Sequence, residues 1–172
     1  MGRAVTVIVV LAGVSGSGKS TVGPLLAERL NGIFVDGDAF HPAANVAKMH
    51  AGVPLTDADR EPWLRAIEAW LDQRISAGQT AVVACSALRR GFRDALRAGR
   101  PQVRLVLLNI SHEAAVARLT ARHGHFFPSS LLDTQFRDLE PPAPTEPVLV
   151  VDAGQPPAQI VADIAGDLRA PD

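Results

Sequence analysis

The sequence predicts an open α/β fold of three layers, a five-stranded parallel sheet with helices on both faces. Three observations predict it. Apolar, β-branched-rich runs recur at 5–12, 32–36, 80–85, 103–109 and 148–151, and a helical pattern follows each. Several of these runs are near-continuous rather than alternating, as in strands covered on both faces. The chain has 172 residues, 47% of them hydrophobic, enough for one compact domain over 1–172 with its own core.

The first run, 5–12, leads directly into a glycine-rich segment. A helix from Lys19 to Leu30 follows, stopped by Asn31-Gly32. Pro24 inside it removes a backbone donor and is expected to kink or loosen it. A short strand at 32–36 ends in Val35-Asp36-Gly37-Asp38, and a helix is expected over 41–51. Thr56-x-x-Asp59 has the form of a capping box, with Pro62 expected in the first turn behind it. Trp63, Leu64, Ile67, Trp70, Leu71 and Ile75 then repeat at helical spacing, which makes the two tryptophans core residues rather than a ligand platform. The third strand ends in Cys85-Ser86. Helices are expected at 88–98, 112–122, 128–139 and 158–168, with a proline-dense loop at 141–147.

Composition narrows the function. The formal net charge is −1, which speaks against a nucleic-acid binder, so any anion site must be local. The chain holds two lysines, Lys19 and Lys48, against fifteen arginines; a lysine kept in that background suggests a need for a compact ammonium. Cys85 is the single cysteine, so no internal disulfide forms, in keeping with a reducing cytoplasmic setting. Arg3 before an apolar stretch mimics a signal peptide, and Met1 to Thr6 fits a loose myristoylation pattern. The stretch reads better as a buried strand, because it feeds the glycine-rich segment and is too short to span a membrane.

Gly13-Val14-Ser15-Gly16-Ser17-Gly18-Lys19-Ser20 matches G-x-x-x-x-G-K-[ST] in full, between a buried strand and a helix. Glycines let the backbone curl with its N–H groups inward, and the helix terminus adds positive potential. Lys19 is expected on the β- and γ-phosphates of ATP, Ser20 on Mg²⁺, and Thr21 completes the nucleotide segment. The motif is silent on the phosphoryl acceptor. Asp36 and Asp38 close the second strand, where strand ends face the ligand crevice; Asp36 is assigned to the metal and Asp38 to the acceptor hydroxyl, and which of the two acts as base stays open. Asp152, after the fifth strand, is the weaker candidate for the metal. If 41–51 is helical, His41, Asn45 and Lys48 fall on one polar face. With Arg60 they form a candidate acceptor wall. Ser86 and Arg89 or Arg90 are further candidates.

Asp36-Gly37-Asp38-x-x-His41-Pro42-x-x-Asn45-x-x-Lys48-Met49 resembles the gluconokinase family, as do Gly52-x-Pro54-Leu55-x-Asp57-x-Asp59-Arg60-x-Pro62-Trp63-Leu64, Cys85-Ser86-Ala87-Leu88, Gly124-His125-Phe126-Phe127 and Leu139-Glu140-Pro141. The resemblance covers almost the whole chain; it departs at Phe92, where the family usually has Tyr, and at His123, where it has a basic residue. It implies transfer of the γ-phosphate of ATP to the 6-hydroxyl of D-gluconate by a P-loop kinase with a shikimate-kinase-like fold, commonly a homodimer. It also implies an acceptor segment at about 38–78 and a mobile lid at about 122–138. In such kinases Arg118 would stack on adenine, Arg122 would contact the transferring phosphate, and His125 would close over the acceptor. The alternatives are a shikimate or nucleoside monophosphate kinase, against which the Asp36 to Met49 string speaks, and a nucleotide-dependent switch, whose guanine-reading signatures are missing.

Overall fold

A computed structural model of the chain describes residues 5–122 and 129–170. The strands are β1 (Ile8–Ala12), β2 (Ile33–Asp36), β3 (Ala81–Ala84), β4 (Val103–Asn109) and β5 (Val148–Asp152). The α-helices among the described residues are α1 (Lys19–Arg29), α2 (Ala43–His50), α3 (Asp57–Ser76), α4 (Arg90–Arg97), α5 (His112–Ala121), α6 (Ser129–Asp138) and α7 (Pro157–Asp167). One 3₁₀ turn, Gly37–Phe40, follows β2. The five strands form one parallel sheet in the order β2-β3-β1-β4-β5, as the alternation of strand and helix patterns predicts. From β1 the chain crosses to the edge strand β2, returns to β3 beside β1, and then passes to β4 and β5 on the other side; the crevice where the strand order reverses, beyond the carboxyl ends of the strands, is where this architecture binds ligands.

β1 is buried along its whole length, and its alternate residues serve two cores. Val9 and Leu11 meet Leu26 of α1, Ala115 of α5, Leu132 of α6 and Ile160 and Ile164 of α7. Ile8, Val10 and Ala12 meet Trp63, Ile67 and Leu71 of α3 and Leu96 of α4 on the other face. This double coverage explains the unbroken apolar run. The strand begins later than 5–12 predicts, since Val5 lies exposed ahead of the sheet.

Local details correct three expectations. α2 begins at Ala43, so His41 is not on it; Pro42 supplies the N-cap, and His41 is the C-cap of the 3₁₀ turn Gly37–Phe40. Pro62 stands in the second turn of α3, because the Thr56 cap starts that helix at Asp57. α4 begins at Arg90 rather than 88, because Ala87 takes a positive φ of 39° and turns the chain. The capping box forms as expected: Thr56 Oγ1 accepts from Asp59 N–H at 3.2 Å and Asp59 Oδ2 accepts from Thr56 N–H at 2.9 Å. α1 runs unbroken through Pro24, whose missing N–H leaves the Ser20 carbonyl without its helical donor.

Candidate active site

The chain leaves β1 through Gly13 and enters α1 through Gly18, which adopts φ 101°, closed to most side chains. Between them the loop is pinned to the sheet: Gly13 N–H donates to Ser86 O at 3.2 Å, joining the ends of β1 and β3. Lys19 Nζ donates to the Gly13 and Val14 carbonyls at 2.8 and 2.9 Å. An ammonium has three protons, so one remains to face the cleft that Lys19 lines. Burial pushes its pKa down to about 8, against the opposing pull of Asp38, Cys85 and Asp36. A phosphate beside it would reverse that burial effect by supplying charge.

The cleft has a volume of about 980 Å³, and its lining includes Ser15, Gly16, Gly18, Lys19 and Ser20 of the phosphate loop together with Asp36, Asp38 and Arg60. Both predicted acids therefore open on the same cleft as the phosphate loop, close enough to act on the charge of Lys19. Asp36 Oδ1 accepts from Asp38 N–H at 2.9 Å, forming an Asx turn that orients the second acid. Asp38 opens onto the cleft, yet the walls thin the water around its carboxyl. That desolvation, with the neighbouring Asp36, raises its pKa, while Lys19 opposes the shift. Gly37 is needed for closeness: a Cβ there would lie 2.5 Å from Ala84 O. Its carbonyl accepts from Trp63 Nε1 at 2.8 Å, so the buried tryptophan of α3 also fixes the acidic turn.

The acceptor candidates divide. His41 lines the cleft and stacks on Trp63, ring centroids 4.8 Å apart and planes 8° apart. Burial and the nearby Arg60 push its pKa down to about 4, so it offers a neutral nitrogen rather than a cation at pH 7. Asn45 is buried; its amide donates to Asp59 O at 2.7 Å and meets His41 Nδ1 at 3.2 Å, which makes it an internal brace between α2 and α3 rather than part of a polar helix face. Lys48 Nζ pairs with Asp59 Oδ2 at 2.7 Å and helps hold that carboxyl down at about 2. Arg60 and Arg89 alternate with Asp57 and Asp138 in a four-membered ring: Arg60 reaches Asp138 at 3.1 Å and Asp57 at 3.4 Å, while Arg89 reaches Asp57 at 2.8 Å and Asp138 at 3.0 Å. Ser86 lies between this ring and the phosphate loop.

On the nucleotide side, Arg118 donates to the carbonyls of Gly16 and Ser17 at 3.3 and 3.2 Å and to Ala153 O, clasping the loop from the β5 side. Arg122 reaches Ser20 Oγ at 3.4 Å. Asp152 accepts from Gly154 N–H at 2.8 Å in a turn beyond β5, on the far side of β4 from the loop. Cys85, buried near Lys19, has its pKa pushed up to about 12 and stays a thiol. His123 and His125 lie outside the described residues, as do 123–128 of the expected lid; 129–138 form α6, anchored by buried Leu132.

Sequence reasoning missed Gln135. Its Oε1 accepts from Ser15 N–H of the phosphate loop at 2.7 Å. The available signal was a polar residue on the stripe formed by Leu132, Phe136 and Leu139. Asp57 and Asp138, which complete the arginine ring, were also missed.

Ser20 and Asp36 are oxygen donors facing one cleft, the donor type a hard divalent cation takes. No group of three His, Cys, Asp or Glu suited to a metal occurs among the described residues, and Mg²⁺ characteristically needs only one or two protein ligands beside phosphates and water.

A family model described as "AAA domain" matches residues 8–142. A gluconokinase of Gluconobacter oxydans is 44% identical over 163 residues, covering 95% of this chain and 92% of that protein. The chain belongs to the gluconokinase family. A crystal structure of a gluconokinase from Sinorhizobium meliloti superposes with a TM-score of 0.82 at 43% identity, covering 96% of this chain and 97% of that one. A shikimate kinase of Bacteroides thetaiotaomicron shares the fold, with a TM-score of 0.64 at 20% identity, over 95% and 99% of the two chains. Like other P-loop kinases, the gluconokinase family uses ATP. No helix among the described residues is long and apolar enough to cross a membrane.

Proposed function

We propose that this chain transfers the γ-phosphoryl group of ATP to the 6-hydroxyl of D-gluconate, giving 6-phosphogluconate and ADP. The observation that carries the reading is the placement of Asp38 across one cleft from Lys19 and the phosphate loop. Asp38 takes the proton of the acceptor hydroxyl as its oxygen bonds to the γ-phosphorus. The bond to the β,γ-bridging oxygen breaks and its electron pair leaves with ADP. A carboxyl pKa raised by desolvation makes Asp38 a stronger base than an ordinary aspartate. The third proton of Lys19 and the guanidinium of Arg122 neutralise charge on the transferring group. Ser20 and, through water, Asp36 would hold Mg²⁺, which supplies charge neutralisation on the phosphates.

At the acceptor end, His41 and Ser86 contribute hydrogen-bonding atoms to the polyol. Arg60 and Arg89 take the carboxylate of gluconate in place of Asp138, whose geometry it can match bidentately. Lys48 and Asn45 act by bracing Asp59 and α3. Arg118 faces adenine from the far side of the loop, and His125 covers the acceptor within a lid at about 122–138. The protein works in the cytoplasm as one kinase domain per chain, paired as a homodimer; light scattering giving twice the 18.2 kDa chain mass checks the pairing.

A coupled ADP-release assay across sugar acids, shikimate and nucleoside monophosphates tests the reaction. Turnover is expected with D-gluconate, with a phosphorylated product carrying phosphorus at carbon 6 by NMR. Turnover with shikimate or a nucleotide instead would sink the substrate assignment, and no acceptor-stimulated turnover would sink the kinase reading.

A further inference from the structure

The inward N–H groups of a phosphate loop are an anion site, and one of them already has an acceptor. Ser15 N–H donates to Gln135 Oε1 at 2.7 Å, and both residues line the cleft. The amide oxygen stands for a phosphate oxygen: it is an acceptor presented to a cradle amide. Gln135 is half-buried and carried on α6, which Leu132 fixes in the core. The Lys19 contacts differ in kind, because they leave a proton over. Ser15 has a single backbone N–H, which cannot serve Gln135 and a phosphate oxygen at full strength together.

We propose that Gln135 belongs to the nucleotide site as an internal competitor: its amide oxygen holds Ser15 N–H until a triphosphate displaces it. The inference rests on the reading above that the loop binds ATP. A phosphate oxygen accepts with charge assistance, roughly twice as strongly as a neutral amide, so the exchange runs toward nucleotide. The apparent affinity is lowered by the fraction of molecules still latched.

The displaced side chain does not act alone. Asp138 follows three residues later on the same face of α6 and bridges Arg60 and Arg89 at 3.1 and 3.0 Å. One helix therefore grips the donor cradle through Gln135 and the acceptor arginines through Asp138. Where releasing one grip shifts α6 at the other, nucleotide eases entry of the acceptor carboxylate and the acceptor eases entry of nucleotide by the same factor.

Isothermal titration of the full chain with a non-hydrolysable ATP analogue and Mg²⁺ tests this. Removing one net hydrogen bond from the competing state predicts that Gln135→Ala binds the analogue about 2–10-fold tighter. Gln135→Glu, which presents a carboxylate to the same N–H, should bind it more weakly than wild type. Saturating gluconate should tighten analogue binding in wild type and do so less in Gln135→Ala. Equal or weaker binding by Gln135→Ala overturns the competitor role. Failure of the wild-type chain to bind the analogue would instead bring down the ATP-kinase reading, and this inference with it.

Discussion

Asp38 illustrates how position rather than residue type sets chemistry. It is held by the Asp36 carboxylate at its N–H, backed by Trp63 through Gly37, and set opposite Lys19. Desolvation and Asp36 raise its pKa, so its charged form is disfavoured on folding. That penalty is fully present above the raised folded value and disappears as pH falls below the ordinary carboxylate range. Asp38→Asn is therefore expected to melt higher than wild type at pH 7, with the advantage shrinking as pH is lowered toward 4. The same variant should lose roughly 10²–10⁴ in kcat with nucleotide affinity changed by a few-fold at most. Thermal melts across pH and binding titrations check both halves; an Asn variant that melts lower at pH 7, or that keeps its turnover, contradicts the assignment. Residues of this kind were legible in the sequence, because phosphate chemistry dictates Gly13 to Ser20 and strand ends dictate where Asp36 and Asp38 face. The Arg60–Asp138 and Ser15–Gln135 contacts were not, since each joins positions 78 and 120 apart in the chain and no local pattern records which distant side chains meet.

Secondary-structure elements turn those residues into a site by how closely they approach. The element that matters most is the end of β2, where the chain passes under Ala84 and Cys85 of the neighbouring strand. A side chain at 37 would meet the Ala84 carbonyl at 2.5 Å and Cys85 Cβ at 2.9 Å, and both are held by the sheet. Gly37→Ala should therefore push the β2 end outward rather than displace a flexible neighbour. Overpacking of this kind costs about 1–3 kcal/mol, and misplacing the acids by about an ångström can cost on the order of 10² in rate. The expected result is a Tm lowered by several degrees with kcat reduced far more than KM for ATP. A variant as active as wild type would show that the acidic turn does not position the reaction. The sequence located this element correctly and mistook its successor: a helix over 41–51 put His41, Asn45 and Lys48 on one face, whereas the 3₁₀ turn and Pro42 place His41 ahead of α2. Pro42 was the readable stop signal, since it disfavours helical backbone in the residue before it.

At the scale of the whole molecule, the cleft needs its loops after β3 and α6 held at a fixed distance, and one buried ion pair does this. Arg93 of α4 is fully enclosed, 0% exposed, and pairs with Glu146, which is 6% exposed, through contacts of 2.7 and 3.1 Å. Its remaining protons go to the carbonyls of Leu88 at 2.7 Å, Ala87 at 3.3 Å and Glu140 at 3.0 Å. A single guanidinium thus ties the turn after Ser86 to Glu140 and Glu146, near the two ends of the proline-dense 141–147 loop, which reads from sequence as a mere connector. Arg93 holds the Glu146 carboxyl below its usual pKa. That stabilisation is present above the ordinary carboxylate range and is lost as pH falls through the depressed folded value. Removing one partner strands a buried charge, so Glu146→Ala should cost about 3–5 kcal/mol in urea denaturation. Arg93→Met combined with Glu146→Leu removes both charges and should recover part of that loss. Because the carbonyls of Ala87, Leu88 and Glu140 lose their donor in the double variant, its gluconate KM should rise even where its fold is regained, and by more than its KM for ATP. A double variant no more stable than Glu146→Ala would mean that the carbonyl contacts, and not the charge pair, hold this corner. Unchanged gluconate kinetics would mean that the corner does not set the acceptor site.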